Sequence, residues 1–255
     1  MKSGRADLHM HTTVSDGTAT VRQLLDHLTR RSEAQRRALD VIAITDHDRL
    51  EASLWAYERR HRYPFDIIPG VEVSSRGGHV LALWVTQPIP MDLSLQETIA
   101  AIHAQGGLAV LAHPFHVQMG FVAKNAPRYL RTPQLLLEWG LDAIEVHNAG
   151  MLTPGCNLVA RSVAARIGIT QLGNSDAHTL GAIGSGWTRF PGHTAAHLRT
   201  AIETGQTRAR GHYWGAREYV KFTRDLIGRR GQRSGSSGDA FDFLDFEGDS
   251  ALTPS

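Results

Sequence analysis

The chain has a single cysteine, Cys156, in 255 residues. A lone thiol excludes an intramolecular disulfide and rules out thiolate-rich zinc or iron–sulfur sites built within one chain. Long apolar runs are missing too: none approaches the roughly 18 residues needed to span a bilayer, and the N-terminus passes straight into a charged, motif-bearing segment without a signal-peptide core. A cytoplasmic protein with no membrane partner is the expectation. Charge of one sign is also lacking, since 27 basic and 25 acidic residues leave a formal net charge of +2. No global field gathers nucleic acid, and any basic patch is local. No Ser or Cys nucleophile motif stands out. With 42% hydrophobic and 20% charged residues, the bulk reads as globular. A length of 255 residues suits one (β/α) barrel as well as two small domains.

What the sequence has in excess is histidine, with 14. The first pair, His9-Met10-His11, leads into Ser15-Asp16-Gly17. A strand over residues 6 to 11 puts both imidazoles on one face with Leu8 and Met10 behind them, where they can grip one metal ion. Asp16 returns from the loop as a harder ligand, and Asp-Gly is a turn pair that folds the chain back over the site. At this histidine content about one His-x-His pair is expected by chance, so the weight of the motif rests on what the other strands carry.

The apolar pattern predicts six further strands, separated mostly by helices. Thr20 and Gln23, then Ser94 and Glu97, have the form of capping boxes opening two of the helices. The run 40–45 ends in Asp46-His47. The run 65–74 holds Glu72 between Val71 and Val73, where an unpartnered carboxylate faces a large desolvation cost and calls for a cation. Gly77-Gly78 turns the chain into a strand that begins on His79. The run 108–113 ends in His113-Pro114, the run 141–148 in His147-Asn148, and the run 169–172 opens into Asp176-Ala177-His178. Residues 116 to 133 read as an irregular loop, and 195–203 as the final helix. Strands alternating with helices indicate a parallel α/β architecture. In a barrel all strand C-termini gather at one mouth, so ligand-type residues at the ends of most strands point to a common site. His79, at the beginning of its strand, is the awkward member.

His-x-His with Ser-Asp-Gly, then Thr45-Asp46-His47, Gly70-Val71-Glu72, Ala112-His113-Pro114 and Ser175-Asp176-Ala177-His178 together resemble the polymerase-and-histidinol-phosphatase (PHP) family across about residues 6 to 180. The resemblance implies a distorted seven-stranded (β/α)7 barrel holding two or three divalent ions, Mn, Fe or Zn. Carried over motif by motif, the metal ligands are His9, His11, Asp16, His47, Glu72, His79, His113, Asp176 and His178. Glu72 bridges, Asp46 orients a ligand from behind, and Asp46, Glu72 and His178 are the residues assigned to catalysis. The stretch Leu198–Arg208 resembles the C-terminal segment attached to many stand-alone members. Residues 1–226 are accordingly read as one metallohydrolase domain whose C-terminal segment occupies about 181–226. The Gly/Ser-rich and then acidic residues 227–255 are read as a disordered tail or docking peptide. The amidohydrolase superfamily also begins with His-x-His, but Thr-Asp-His and the terminal Asp-x-His favour the PHP assignment.

The function implied is that of a metal-dependent phosphoesterase, acting by metal-bound hydroxide on a small phosphorylated substrate such as a nucleotide or sugar phosphate. Nucleic acid would enter only as a short or terminal substrate. Carbamate or amide hydrolysis on the same site is the alternative, and a non-catalytic metal-binding module a second. Arg49, Arg76, His116, His147 and Asn148 lie nearest the motifs and are the candidates for substrate contact.

Overall fold

The computed structural model describes residues 3–34, 38–116 and 120–233. From β1 (Ser3–Asp7) the chain enters α1 (Val21–Glu33) through a reciprocal cap: the Thr20 hydroxyl accepts the Gln23 N–H, and the Gln23 side chain accepts the Thr20 N–H. This satisfies donors that a helix start otherwise leaves open, and Val21, Leu24, Leu25 and Leu28 face inward at helical spacing. Then come β2 (Val41–Ala43), α2 (Glu51–Glu58), β3 (Asp66–Ile68), β4 (Gly70–Ser75) and β5 (Gly78–Leu83). They are followed by α3 (Leu95–His103), capped by Ser94 and Glu97, β6 (Leu108–Leu111), α4 (Gly120–Arg131), α5 (Gln134–Glu138) and β7 (Ala143–Asn148). The chain continues into α6 (Pro154–Ile167), β8 (Thr170–Asn174), β9 (Gly186–Pro191), α7 (Ala195–Glu203), β10 (Arg208–Gly211) and α8 (Ala216–Arg233). Gly168 ends α6 at φ 71°, a left-handed cap that favours glycine.

The hydrogen bonding gives a mixed α/β fold of two five-stranded sheets, ordered β10-β9-β1-β2-β3 and β4-β5-β6-β7-β8. The continuous ladders form no closed barrel among the described residues, and three features depart from the seven parallel strands expected. The run 65–74 is two strands, not one. Pro69 has no N–H to extend a ladder, and there the chain leaves the first sheet for the second. The Gly77-Gly78 turn is far too short for a parallel crossover, so β5 runs antiparallel to β4, and β6 antiparallel to β5. Finally, β9 and β10 add an antiparallel edge beside β1 that the apolar pattern does not announce, because their burial alternates. The stretch 120–131, expected as loop, is helical with Pro127 inside it, and residues 117–119 lie outside the described residues. At the other end α8 continues to Arg233, past the boundary expected near 227; the tail from 234 lies outside the described residues.

Two single bridges join the sheets, Met10 with Ala177 and His47 with Glu72. Both fall just beyond strand C-termini or among the ligand-type residues. Between the sheets, Ala6, Val41, Leu81, Val110, Ala143 and Leu172 form one dry layer drawn from both. α1 and α2 cover one outer face through Leu25, Leu28 and Ala52; α3 and α6 cover the other through Ile99 and Val163. The apolar layer closes the interior below the site, leaving the polar residues gathered at one end.

Candidate metal centre

β1 stops at Asp7, earlier than expected, yet His9 and His11 still stand side by side, with ring centroids 5.1 Å apart. Neighbours on both sides pin this stretch. His11 N–H donates to the Ala177 carbonyl and Ala177 N–H to that of His9, while Thr45 N–H donates to the Met10 carbonyl. The period-two geometry therefore persists past the strand end.

Glu72, fully buried, is the centre of the cluster. Its Oε2 lies 3.0 Å from His9 Nε2, 3.2 Å from His11 Nε2 and 3.2 Å from His47 Nδ1. Its Oε1 lies 2.9 Å from His79 Nδ1 and 3.0 Å from His113 Nε2. Asp176 Oδ1 faces His9 Nε2 at 3.3 Å and His11 Nε2 at 3.2 Å, and Asp16 Oδ2 faces His178 Nε2 at 3.1 Å. The structure thus brings together all the ligand-type residues singled out in the sequence, His79 included. Because β4 and β5 are antiparallel, the beginning of β5 lies at the same end as the close of β4, with His79 paired to Ser74.

These spacings are those of a metal cage. Two donors each about 2.1 Å from one ion, at the angles of tetrahedral or octahedral coordination, lie about 3.0–3.4 Å apart. His11 Nε2 and His79 Nδ1 are buried and poorly aligned for hydrogen bonding with carboxylate oxygens 2.9–3.2 Å away, as expected for donors converging on a shared point. Four overlapping groups have donor atoms within 4.8 Å of one another: His11/Asp16/His47/His178, His9/His113/Asp176, His9/His11/Glu72 and His47/Glu72/His79. Mixed imidazole and carboxylate sets of this kind suit a divalent metal ion.

Electrostatics point the same way. Burial alone would raise Glu72, but the charges of His47, His9 and His79 hold it well below the usual carboxylate range. Asp176 is likewise pulled down against its burial by His9 and His11. Burial opposes charge on His11, yet Asp176 and Glu72 raise it to about 10. Without an ion, the cluster gathers protons to balance its carboxylates, which marks it as a cation site.

Three residues here hold left-handed backbone without being glycine: Asp48 at φ 54°, His113 at φ 28° and Asp176 at φ 52°. Such conformations cost on the order of 1–3 kcal/mol each and persist where surrounding bonds over-determine them. Asp48, for example, accepts from the Ser74 N–H and hydroxyl, both at 2.7 Å, and its own N–H donates to the Glu72 carbonyl.

Asp46 is buried behind the loop that carries Asp16. Its carboxylate accepts the Thr12 N–H, the Thr12 hydroxyl and the Ser15 hydroxyl at 2.6–2.7 Å, so it fixes the backbone of the loop between His11 and Asp16 rather than an imidazole. Of the substrate candidates, Arg49 is half-exposed and pairs with Glu51, and Arg76 is exposed and faces Glu97. His116 stacks edge-on against His113 with centroids 5.6 Å apart. His147 is buried beside Tyr213, and Asn148 is buried with its amide bonded to Glu145 and Asp176.

Sequence reasoning missed two contributors. Glu145 sits inside β7 between Ile144 and Val146, fully buried, and the criterion that singled out Glu72 applies to it unchanged. The other is the C-terminal part of the chain. Trp214 and Phe222 approach His178 with ring centroids 5.9 and 4.7 Å away, and the aromatic residues around the start of α8 were the available signal.

Comparison with known proteins agrees with this geometry. The chain is 28% identical over 156 residues to the uncharacterized protein MJ1587 of Methanocaldococcus jannaschii, covering 57% of this chain and 82% of that one. It is 33% identical over 105 residues, 38% of each chain, to the phosphoribosyl 1,2-cyclic phosphate 1,2-diphosphodiesterase of Eggerthella lenta. Its fold is similar to that of a two-domain protein from Bacteroides vulgatus containing a predicted PHP-like metal-dependent phosphoesterase, with TM-score 0.63, 19% identity, and 89% and 70% of the two chains covered. Residues 154–207 match the PHP-associated family. The chain thus carries a PHP-associated segment and shares its fold with a protein containing a predicted PHP-like phosphoesterase.

Proposed function

We propose that this chain is a metal-dependent phosphoesterase acting on a small phosphorylated substrate, such as a nucleotide or sugar phosphate. The observation that carries the proposal is Glu72, whose two carboxylate oxygens each face a different set of imidazoles: a bridging carboxylate has this arrangement. The activity named for the Eggerthella lenta relative, on a phosphoribosyl cyclic phosphate, supports a phosphate ester as the substrate bond. The two seam bridges support reading the sheets as the halves of a distorted barrel in a single domain.

Two or three Mn, Fe or Zn ions, when bound, supply Lewis acidity at phosphoryl oxygens and bring the pKa of coordinated water toward about 7. His9, His11, His47, His79, His113, His178, Asp16, Glu72 and Asp176 would hold them. The burial gradient gives the direction of approach. His9 and Glu72 are sealed, whereas His47, His79 and Asp16 have side chains 28%, 21% and 37% exposed, so substrate meets the cluster across that edge. His178 borders the same edge; its Nδ1–H donates to the Asp176 carbonyl at 2.8 Å, which directs Nε2 into the site. Asp46 keeps the Asp16 loop in place. On this reading nucleic acid would enter only as a short or terminal substrate.

The test is metal analysis of protein purified with manganese, iron or zinc, followed by a hydrolysis screen over phosphate monoesters, phosphodiesters and carbamates. The expected result is metal-dependent phosphate release or diester cleavage that chelator abolishes. Turnover confined to carbamates or amides would overturn the phosphoesterase assignment.

A further inference from the structure

Glu145 is a buried carboxylate that none of the roles above uses. Its position depends on an irregularity of β7. Residues 145 and 148 are three apart and would lie on opposite faces of a regular strand, but the β7–β8 ladder shifts register between Glu145 and His147. A bulge of this kind adds a residue to one strand and re-aims the side chains after it, so Glu145 and Asn148 both turn inward.

There Glu145 accepts four hydrogen bonds. Oε1 takes His9 Nδ1–H at 3.0 Å and Asn174 Nδ2 at 2.8 Å; Oε2 takes the His113 backbone N–H at 3.0 Å and Asn148 Nδ2 at 2.9 Å. The Asn148 amide also donates to Asp176 Oδ2 at 2.9 Å. Only an ionised carboxylate, which is acceptor-only on both oxygens, satisfies four donors at once. The residues reached this way are His9, His113 and Asp176. They coincide with one of the four donor groups; His9 is shared with the group of His11 and Glu72, whereas the group at the open edge, His11, Asp16, His47 and His178, contains none of the three. Asn174 extends the frame, since its Oδ1 accepts the Leu8 N–H at the exit of β1.

We propose that Glu145 is the positioning residue of one metal subsite, that of His9, His113 and Asp176. It fixes His9 as the Nδ1–H tautomer with Nε2 toward the ion, holds the His113 backbone in its left-handed conformation, and restrains Asp176 through Asn148. The proposal rests on the polynuclear site described above. It goes beyond that site by predicting unequal loss: disturbing Glu145 weakens the ion of this subsite most and spares the ion of the open-edge group.

Glu145→Gln keeps the shape of the side chain but turns an acceptor toward the Asn148 or Asn174 amide into a donor. Parent and variant, stripped and reloaded stepwise with cobalt(II), are compared by elemental analysis, competition with chelator and the visible spectrum. Histidine-ring ¹⁵N NMR reports the His9 tautomer. The expected result is a full complement in the parent and, in the variant, one ion bound about 10- to 100-fold more weakly while the ion of the open-edge group keeps its affinity. Asn148→Ala, which removes the link to Asp176 and one of the four donors to Glu145 but leaves the carboxylate on His9 and His113, should weaken the same ion less, and it decides the question if Glu145→Gln fails to fold. Unchanged affinity for every ion, or an equal fall for all of them, would overturn the assignment. A parent protein holding fewer than two ions would overturn the polynuclear reading and this inference with it.

Discussion

Ser74 and His79 stand opposite each other across the β4–β5 hairpin, and that pairing places His79 Nδ1 2.9 Å from Glu72 Oε1. Glu72 therefore receives imidazoles from the neighbouring strand as well as from across the interior, and no other carboxylate in the cluster faces as many. Replacing it by Gln preserves size but removes the charge that, in the proposed site, two cations would share, and leaves an amide nitrogen among imidazoles. Glu72→Gln should lose at least one ion per chain by elemental analysis and lower turnover by at least about a hundredfold. Far-UV circular dichroism should be unchanged. Full metal content at parental rates would exclude a bridging role.

Gly17 sits where a side chain has no room. A Cβ built there collides with the His11 carbonyl oxygen and lies 2.8 Å from Thr12 N, both backbone atoms of the segment that Asp46 holds rigid. Gly17→Ala must displace the loop carrying Asp16. Because that loop is at the open edge rather than in the apolar layer, the loss should appear mainly in the group that includes Asp16 and His178. Metal affinity and activity should fall by about tenfold or more, with a much smaller change in melting temperature. Parental metal affinity in the Gly17→Ala variant would show the loop to be adaptable.

The residues that gather around Glu72 could be read in the sequence because most of them sit at local motifs: His-x-His, Thr-Asp-His, Gly-Val-Glu, Ala-His-Pro and Asp-x-His. Helix starts at Thr20 and Ser94 were equally legible, since capping boxes are local chemistry. Strand direction was not local. That His79 belongs to the mouth follows from an antiparallel turn, and a seven-strand parallel pattern leaves it misplaced. β9 and β10 escaped notice because only alternate residues are buried in them. Glu145 and Asn148 escaped for a different reason: their common orientation depends on a bulge, which no periodicity displays.

The charge balance of the cluster makes metal binding pH-dependent. In metal-free protein His11 is raised from 6.5 to about 10, against its burial, by Asp176 and Glu72. A raised folded value means its contribution to stability is complete below about 6.5 and is lost as pH rises through about 10. Glu72, Asp176 and Asp16 are depressed, so their contribution is present above about 4.5 and is lost as pH falls further. The metal-free protein should therefore be most stable between about pH 4.5 and 6.5. A divalent ion requires neutral imidazole and displaces the His11 proton. The rise in melting temperature on metal loading should grow steadily from pH 6 to pH 9; a rise independent of pH would mean that no proton is released on binding.

Trp214 anchors α8 to the metal centre. Its ring is buried, its Nε1–H donates to the Ser175 carbonyl at 2.8 Å, its backbone N–H donates to Ala149, and its face meets His178, Tyr219 and Phe222. The Ser175 carbonyl belongs to the residue before Asp176, so this indole braces the strand end that carries two ligand-type side chains. Trp214→Ala should destabilise the fold by about 3–5 kcal/mol through lost burial and a residual cavity. Trp214→Phe keeps most of the packing and removes only the hydrogen bond, and should lose about 1 kcal/mol. Urea denaturation of the metal-loaded proteins measures both. If α8 braces the site, Trp214→Ala will also weaken metal binding under conditions where it is fully folded, whereas a helix that merely covers the surface would leave metal affinity unchanged.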